Sequence, residues 1–244
     1  MKKIIILMLF ISLSFSCKDL VTNADYPLKV VDYECVDNSH GKVDDYKIEG
    51  LVLKDDFLFV AKGNKGVEVY HLEASNEPVV DSINMKYINK HSTKAFALAQ
   101  GYSHLFAVNE KKLSVLKISG ESYISLYEID SELFNSNITF MYIDKDIPYL
   151  YIILENDGLI IYSIDEHKIK YDYTNSTKNA TSVVATKDSL YLSKKNAGND
   201  NGSIEIYRKT FISQHLNLNK IYEHTNLNDI KILDIKNQEL SFIN

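Results

Sequence analysis

Tryptophan is absent from the 244 residues, arginine occurs once, at Arg208, and there are only two cysteines and three prolines. Each shortage removes a class of protein. Nucleic-acid backbones are held by clustered Lys and Arg, above all by the bidentate fork that Arg supplies. One arginine, in a chain with 27 basic and 33 acidic residues, leaves no such surface, so nucleic acid is not an expected partner. Two cysteines, Cys17 and Cys35, allow one disulfide at most. Nine glycines and three prolines are too few for a disordered or low-complexity chain, and no stretch reads as a flexible linker between domains. The apolar run Ile4 to Phe15 is twelve residues long. A bilayer core of ~30 Å needs about 20 helical residues, so this run is too short to span one.

What is abundant is strand-forming. Seventeen Tyr and ten Phe favour pleated surfaces, where aromatic rings pack against neighbouring strands. A leucine-led tetrad recurs five times: Leu58-Phe59-Val60-Ala61, Leu105-Phe106-Ala107-Val108, Leu150-Tyr151-Ile152-Ile153, Leu190-Tyr191-Leu192-Ser193 and Leu240-Ser241-Phe242-Ile243. The leading leucines are 47, 45, 40 and 50 residues apart. Repeats of roughly 40–50 residues made only of short strands predict a β-propeller.

Within each unit the tetrad is the second strand, B. An apolar stretch precedes it as strand A: Leu51 to Leu53, Ala95 to Leu98, Phe140 to Ile143, Ser182 to Ala185 and Ile230 to Leu233. A turn and a third strand, C, follow four of the tetrads: Gly66 to Tyr70, Lys112 to Leu116, Gly158 to Tyr162 and Ser203 to Tyr207. Gly, Asn and Asp in the intervening turns tolerate the left-handed backbone of tight hairpins. A less regular strand D comes last, as at Val79 to Ile83 or Ile124 to Tyr127. Strands A and B are apolar on consecutive residues, as expected of strands covered on both faces, whereas Val67-Glu68-Val69 in strand C alternates and suits a more outward place.

The fifth tetrad has no C or D strand after it, because the chain ends at Asn244. Leu28 to Val31 matches the C pattern and Lys42 to Ile48 can serve as D. The expected fold is therefore an all-β, five-bladed β-propeller over residues 27–244, its last blade closed by N-terminal strands pairing with C-terminal ones. Closure removes the open edges that invite aggregation.

The N-terminus reads as an address. Met1-Lys2-Lys3, the short apolar run and the small residues after it form a secretory signal peptide over residues 1–16. Ser14-Phe15-Ser16-Cys17 resembles the lipobox of bacterial lipoproteins, although Ser14 stands where that pattern prefers Leu. The resemblance implies lipidation of Cys17, a polar tether over residues 17–26, and a lipid-anchored place in the bacterial cell envelope, at the outer membrane or cell surface. Cys35 is then single and suits a buried strand position. An ordinary cleaved signal peptide with an incidental cysteine is the alternative.

The unit from Leu150 to Asp165, with its turn Glu155-Asn156-Asp157-Gly158 and its strand Gly158-Leu159-Ile160-Ile161-Tyr162, resembles the bacterial LVIVD repeat. Leu58 to Leu72 resembles it too, with Pro78 downstream. The copy from Leu105 lacks the glycine and the copy from Leu190 carries a longer turn. The resemblance implies a secreted or surface propeller and brings no catalytic residues with it.

No catalytic, cofactor-binding or metal-ligating residue is signalled. His40, His71, His91, His104, His167, His215 and His224 show no metal-ligand spacing and no neighbouring Cys. Asn199-Asp200-Asn201-Gly202 lacks the spaced carboxylates of a calcium loop and reads as a hairpin turn. Asp55, Asp56, Asp144, Asp146, Asp188 and Asp234 lie beside the A strands, mostly in turns where solvated carboxylates are the rule. A non-catalytic binding module for an envelope protein, peptide or glycan is the expected function. A glycoside hydrolase with paired carboxylates in a central channel and a structural part of an envelope complex are the alternatives.

Overall fold

The computed structural model describes residues 48–74, 83–120, 124–195, 201–212, 215–228, 232–236 and 239–243. The expected signal peptide, Cys17, the tether, Cys35 and the strands expected at 28–31 and 42–48 lie outside the described residues, Ile48 excepted.

Every regular element among the described residues is a β-strand. Sheet 1 holds β1 (Gly50–Lys54), β2 (Phe57–Ala61), β3 (Val67–Ala74) and β4 (Ile83–His91). Sheet 2 holds β5 (Ala97–Gly101), β6 (His104–Asn109), β7 (Lys112–Ser119) and β8 (Ser125–Leu133). Sheet 3 holds β9 (Ile138–Ile143), β10 (Tyr149–Leu154), β11 (Gly158–Ser163) and β12 (Lys168–Asp172). Sheet 4 holds β13 (Ala180–Ala185), β14 (Ser189–Lys195), β15 (Asn201–Ile212) and β16 (His215–Asn228). A last hairpin, β17 (Ile232–Lys236) and β18 (Glu239–Ile243), completes the described chain. Within each sheet the strands pair antiparallel in sequence order, so A, B, C and D stand side by side as the repeat predicts.

The fourth strands depart from the sequence reading. The first of them runs over Ile83–His91, beyond the stretch Val79 to Ile83, of which residues 79–82 lie outside the described residues; the second continues to Leu133. Each also carries a one-residue bulge at one and the same point of the repeat. Val69 and Tyr70 pair with Asn89 and Tyr87, which skips Ile88. Val115 and Leu116 pair with Asp130 and Glu128, which skips Ile129. Ile161 and Tyr162 skip Lys170, and Ile206 and Tyr207 skip Ile221. An extra residue reverses the inward–outward alternation halfway along the strand, so no single period-2 pattern exists to be read. The bulges also break the hydrogen-bonding edge that each outer strand turns to solvent.

Alternate faces of the sheets pack into three successive seams. Phe59, Val67 and Val69 of sheet 1 meet Leu105, Leu116 and Ile118 of sheet 2. Phe106, Leu113 and Val115 of sheet 2 meet Leu150, Ile152 and Tyr162 of sheet 3. Tyr151, Ile153 and Ile161 of sheet 3 meet Val183, Leu190 and Tyr207 of sheet 4. The first strands follow one another, β1 beside β5, β5 beside β9, β9 beside β13 and β13 beside β17. Both β10 and β11 are buried along their whole length, so strand C of sheet 3 has no polar side, unlike the alternation expected of it.

Two glycines close equivalent turns between strands B and C. Gly66 sits at φ +99 and Gly158 at φ +115, and a Cβ on them would lie 2.1 Å from the carbonyl oxygen of His91 and 2.6 Å from that of Thr177. The copy without glycine uses a two-residue turn in which Glu110 takes the left-handed backbone. Gly158→Ala is expected to destabilise the fold by about 2–3 kcal/mol, from backbone strain and displacement of the Thr177 segment. A lowered urea midpoint at unchanged m is the measurement.

Candidate functional site

In a four-stranded antiparallel sheet the A–B and C–D connections fall at the same end. At that end of sheets 2, 3 and 4 two groups of polar side chains gather, one buried and one at the surface.

The buried group joins sheet 3 to sheet 4. β15 and β16 are far longer than their counterparts, and their extension carries Lys209 into the seam. Lys209 Nζ donates to Asp144 Oδ2 at 2.6 Å and to the carbonyl of Thr186 at 2.6 Å, and both charged side chains have 0% exposure. Tyr151 Oη donates to the same Asp144 oxygen at 3.0 Å. The backbone N–H groups of Asp146 and Ile147 donate to Asp144 Oδ1 at 2.9 and 3.3 Å. A carboxylate offers about four acceptor positions, and here four donors occupy them. Burial, then the charge and hydrogen bond of Asp144, push the Tyr151 phenol well above its ordinary range. Asp144 is therefore a staple and not the solvated turn carboxylate the sequence suggests. Of the other acids beside the A strands, Asp55, Asp56, Asp146 and Asp188 are exposed in turns as expected, and the side chain of Asp234 lies outside the described residues.

The same extension is clamped a second time. The N–H of Leu216 donates to Tyr171 Oη at 2.8 Å, and Tyr173 Oη donates to the Leu216 carbonyl at 2.9 Å. The N–H and C=O of Leu216 in sheet 4 are thus held by two phenols, one from β12 and one from just beyond its end. Beyond these ties the hairpin presents Phe211 and Ile212, 49% and 61% exposed. Farther along β15, Glu205 accepts from Tyr207 Oη at 2.6 Å and pairs with Lys220 and Lys194 at 2.7 and 3.4 Å. Burial raises its pKa, but the hydrogen bonds of Lys220 and Tyr207 and the nearby lysine charges outweigh it and hold the carboxyl below its usual value. Glu68 repeats the device in sheet 1, with Tyr70 at 2.6 Å and Lys62 at 2.5 Å.

The surface group lies where sheet 2 meets sheet 3. The β5–β6 turn places Tyr102 and Ser103 at φ 50 and 61, a left-handed pair with neither Gly nor Asn. His104 follows, its Nδ1 2.7 Å from the Tyr102 carbonyl. His167, from the β11–β12 connection and itself at φ 51, stands with its ring centroid 5.5 Å from that of His104, the planes at 66°. Burial holds His104 below the ordinary imidazole range, helped by His167 and Lys117 against the Tyr102 carbonyl and Asp165. Burial and the charges of Asp144, Asp146 and Asp165 raise the Tyr102 phenol.

Sequence reasoning names His104, His167 and Asp144 without seeing their company, and misses Lys209, Tyr151, Tyr171 and Tyr173. One signal was available: Lys209 continues the alternation of Glu205 and Tyr207, and so faces sheet 3 as Tyr207 does. His71 and His91 are half-buried and His224 exposed, His40 and the side chain of His215 lie outside the described residues, and Asn201 and Gly202 begin β15.

No family model matches the sequence and no curated protein is similar to it. Among solved structures, Sqt1 from Chaetomium thermophilum superposes with a TM-score of 0.59 at 14% identity, covering 80% of this chain and 53% of its own. AztD from Citrobacter koseri gives 0.49 at 9% identity over 72% of this chain and 46% of that one, and the computationally designed Ika4 protein 0.47 at 12% over 68% and 92%. The chain spans about half the length of Sqt1 and of AztD. The likeness to Sqt1 shows the fold class alone: all-β and propeller-like, with four four-stranded antiparallel sheets among the described residues.

Proposed function

We propose that this chain is an exported, lipid-anchored five-bladed propeller of the LVIVD-repeat kind that works at the bacterial cell envelope as a non-catalytic interaction module. Closure by a fifth blade is supported by the two outermost sheet faces. In sheet 1, Val52, Phe59, Val67 and Val69 turn toward sheet 2, so Leu51, Leu53, Leu58 and Val60 turn the other way. In sheet 4, Val184, Ile204, Tyr191 and Ile206 form a separate apolar cluster on the face opposite the Val183 and Leu190 seam, with Tyr142 of sheet 3 packed against it. Two such faces need cover, and β17–β18 with the N-terminal strands is the cover the repeat supplies.

The observation that carries the binding role is the β15–β16 hairpin. An ion pair without solvent exposure and a double tyrosine clamp fix its shaft, and its end exposes Phe211 and Ile212. A rigid element with an apolar end loses little entropy on docking, the condition for an interface anchor. Asp144, its acceptor positions taken by Lys209, Tyr151 and two backbone N–H groups, is not free to serve as one of the paired carboxylates of a glycoside hydrolase. Metabolic labelling with an alkyne fatty acid should mark the wild type and not Cys17→Ser. A photo-crosslinking residue at 211 in intact cells should give a discrete adduct that one at position 64, in the β2–β3 turn, does not. An unlabelled wild type removes the anchor, and equal adducts from both positions remove the hairpin.

A further inference from the structure

His104 and His167 are 63 positions apart, come from different sheets, and meet at the surface with ring centroids 5.5 Å apart. A backbone carbonyl can only accept, so the 2.7 Å contact with the Tyr102 oxygen puts the His104 proton on Nδ1 and leaves the Nε2 lone pair free. That is the arrangement in which protein imidazoles bind metal: the far nitrogen hydrogen-bonded to a carbonyl, ring and tautomer fixed. Two imidazoles sharing one ion at metal–nitrogen distances of ~2.0–2.1 Å have centroids roughly 5 Å apart, which the observed spacing meets with a small tilt. Asp165 lies near enough to act on the charge of His104, against the opposing charge of Lys117 on the neighbouring strand.

We infer that His104 and His167 form a two-imidazole site for a borderline divalent ion of the Cu2+ and Zn2+ class. Imidazole ligands select these ions over Mg2+ and Ca2+, and copper binds tightest in the series. Among the described residues no group of three His, Cys, Asp or Glu side chains is placed to hold one ion, so two positions are the protein's and water fills the others. The strained turn at Tyr102 and Ser103 sets the first ligand and the left-handed His167 the second.

The competing explanation is a plain edge-on packing of two rings, and His→Phe variants separate the two because they keep a ring and delete the lone pair. Purified full-length protein is titrated with Cu2+ and followed by pulsed electron paramagnetic resonance and calorimetry. The wild type should bind one equivalent showing two coordinated imidazole nitrogens, and Zn2+ should compete for it. His104→Phe and His167→Phe should each weaken binding at least about tenfold and leave at most one imidazole signal. Should His104→Phe fail to fold, His167→Phe, in an exposed connection, decides alone. A wild type that binds no Cu2+, or variants that keep both affinity and the two-nitrogen signal, would overturn the site.

Discussion

Lys209→Met is expected to destabilise the folded protein by about 3–5 kcal/mol, a large share of a single domain's stability. The loss does not measure the strength of the ion pair. Removing the ammonium leaves the Asp144 carboxylate with its tyrosine and backbone donors, at zero exposure and without a countercharge. Desolvation of that charge is the dominant cost. Asp144→Leu should cost a similar amount by stranding Lys209, and in addition should release the turn over residues 145–148 that Asp144 organises. The double variant Lys209→Met/Asp144→Leu should recover a large part of the loss, because an apolar pair of similar volume is near neutral where a buried ion pair stood. The exposed pair Lys54–Asp55 supplies the control, with a cost under about 1 kcal/mol when Lys54 is neutralised. Equilibrium denaturation at matched m values reads the cycle. A single variant that loses no more than the surface control would show that water reaches the pair.

That ion pair marks the boundary of what the sequence reveals. Strands A and B are legible because burial on both faces demands uninterrupted apolar residues, and the B–C turns because a tight backbone demands Gly66 and Gly158. Both are local requirements. The D strands obey a rule as strict, a bulge at one point in each of the four four-stranded sheets, yet the inserted residue scrambles the alternation of inward and outward side chains. The buried polar network is illegible for another reason. Asp144 and Lys209 lie 65 positions apart, and an acid in a turn and a lysine on a strand each look solvated alone. Only the lengthened pair of β15 and β16 brings them together, and among the described residues the other three four-stranded sheets have no strands of that length. His104 and His167 fail the spacing test of a metal motif in the same way, since two sheets and not one strand supply the pair.

Removing Ile230 to Asn244 is expected to abolish cooperative folding of the whole domain and not merely to fray its end. β17 lies beside β13 and β14, so its loss uncovers the cluster of Val184 and Ile204 with Tyr191 and Ile206. A row of sheets stacked as an open array would tolerate this, because each unit depends only on its neighbours and damage stays local. A sealed ring would not. The same deletion would strip the fifth blade from Leu51, Leu53, Leu58 and Val60 of sheet 1, nearly 180 positions away in sequence, and leave an apolar face at each end of the break. Hydrogen exchange at β1 and β2 therefore separates the two architectures. Loss of protection there, together with a broadened and non-cooperative urea transition, is the expected result. Native protection in β1 and β2, with exchange raised only in sheet 4, would mean that the sheets form an open stack and that the termini do not meet.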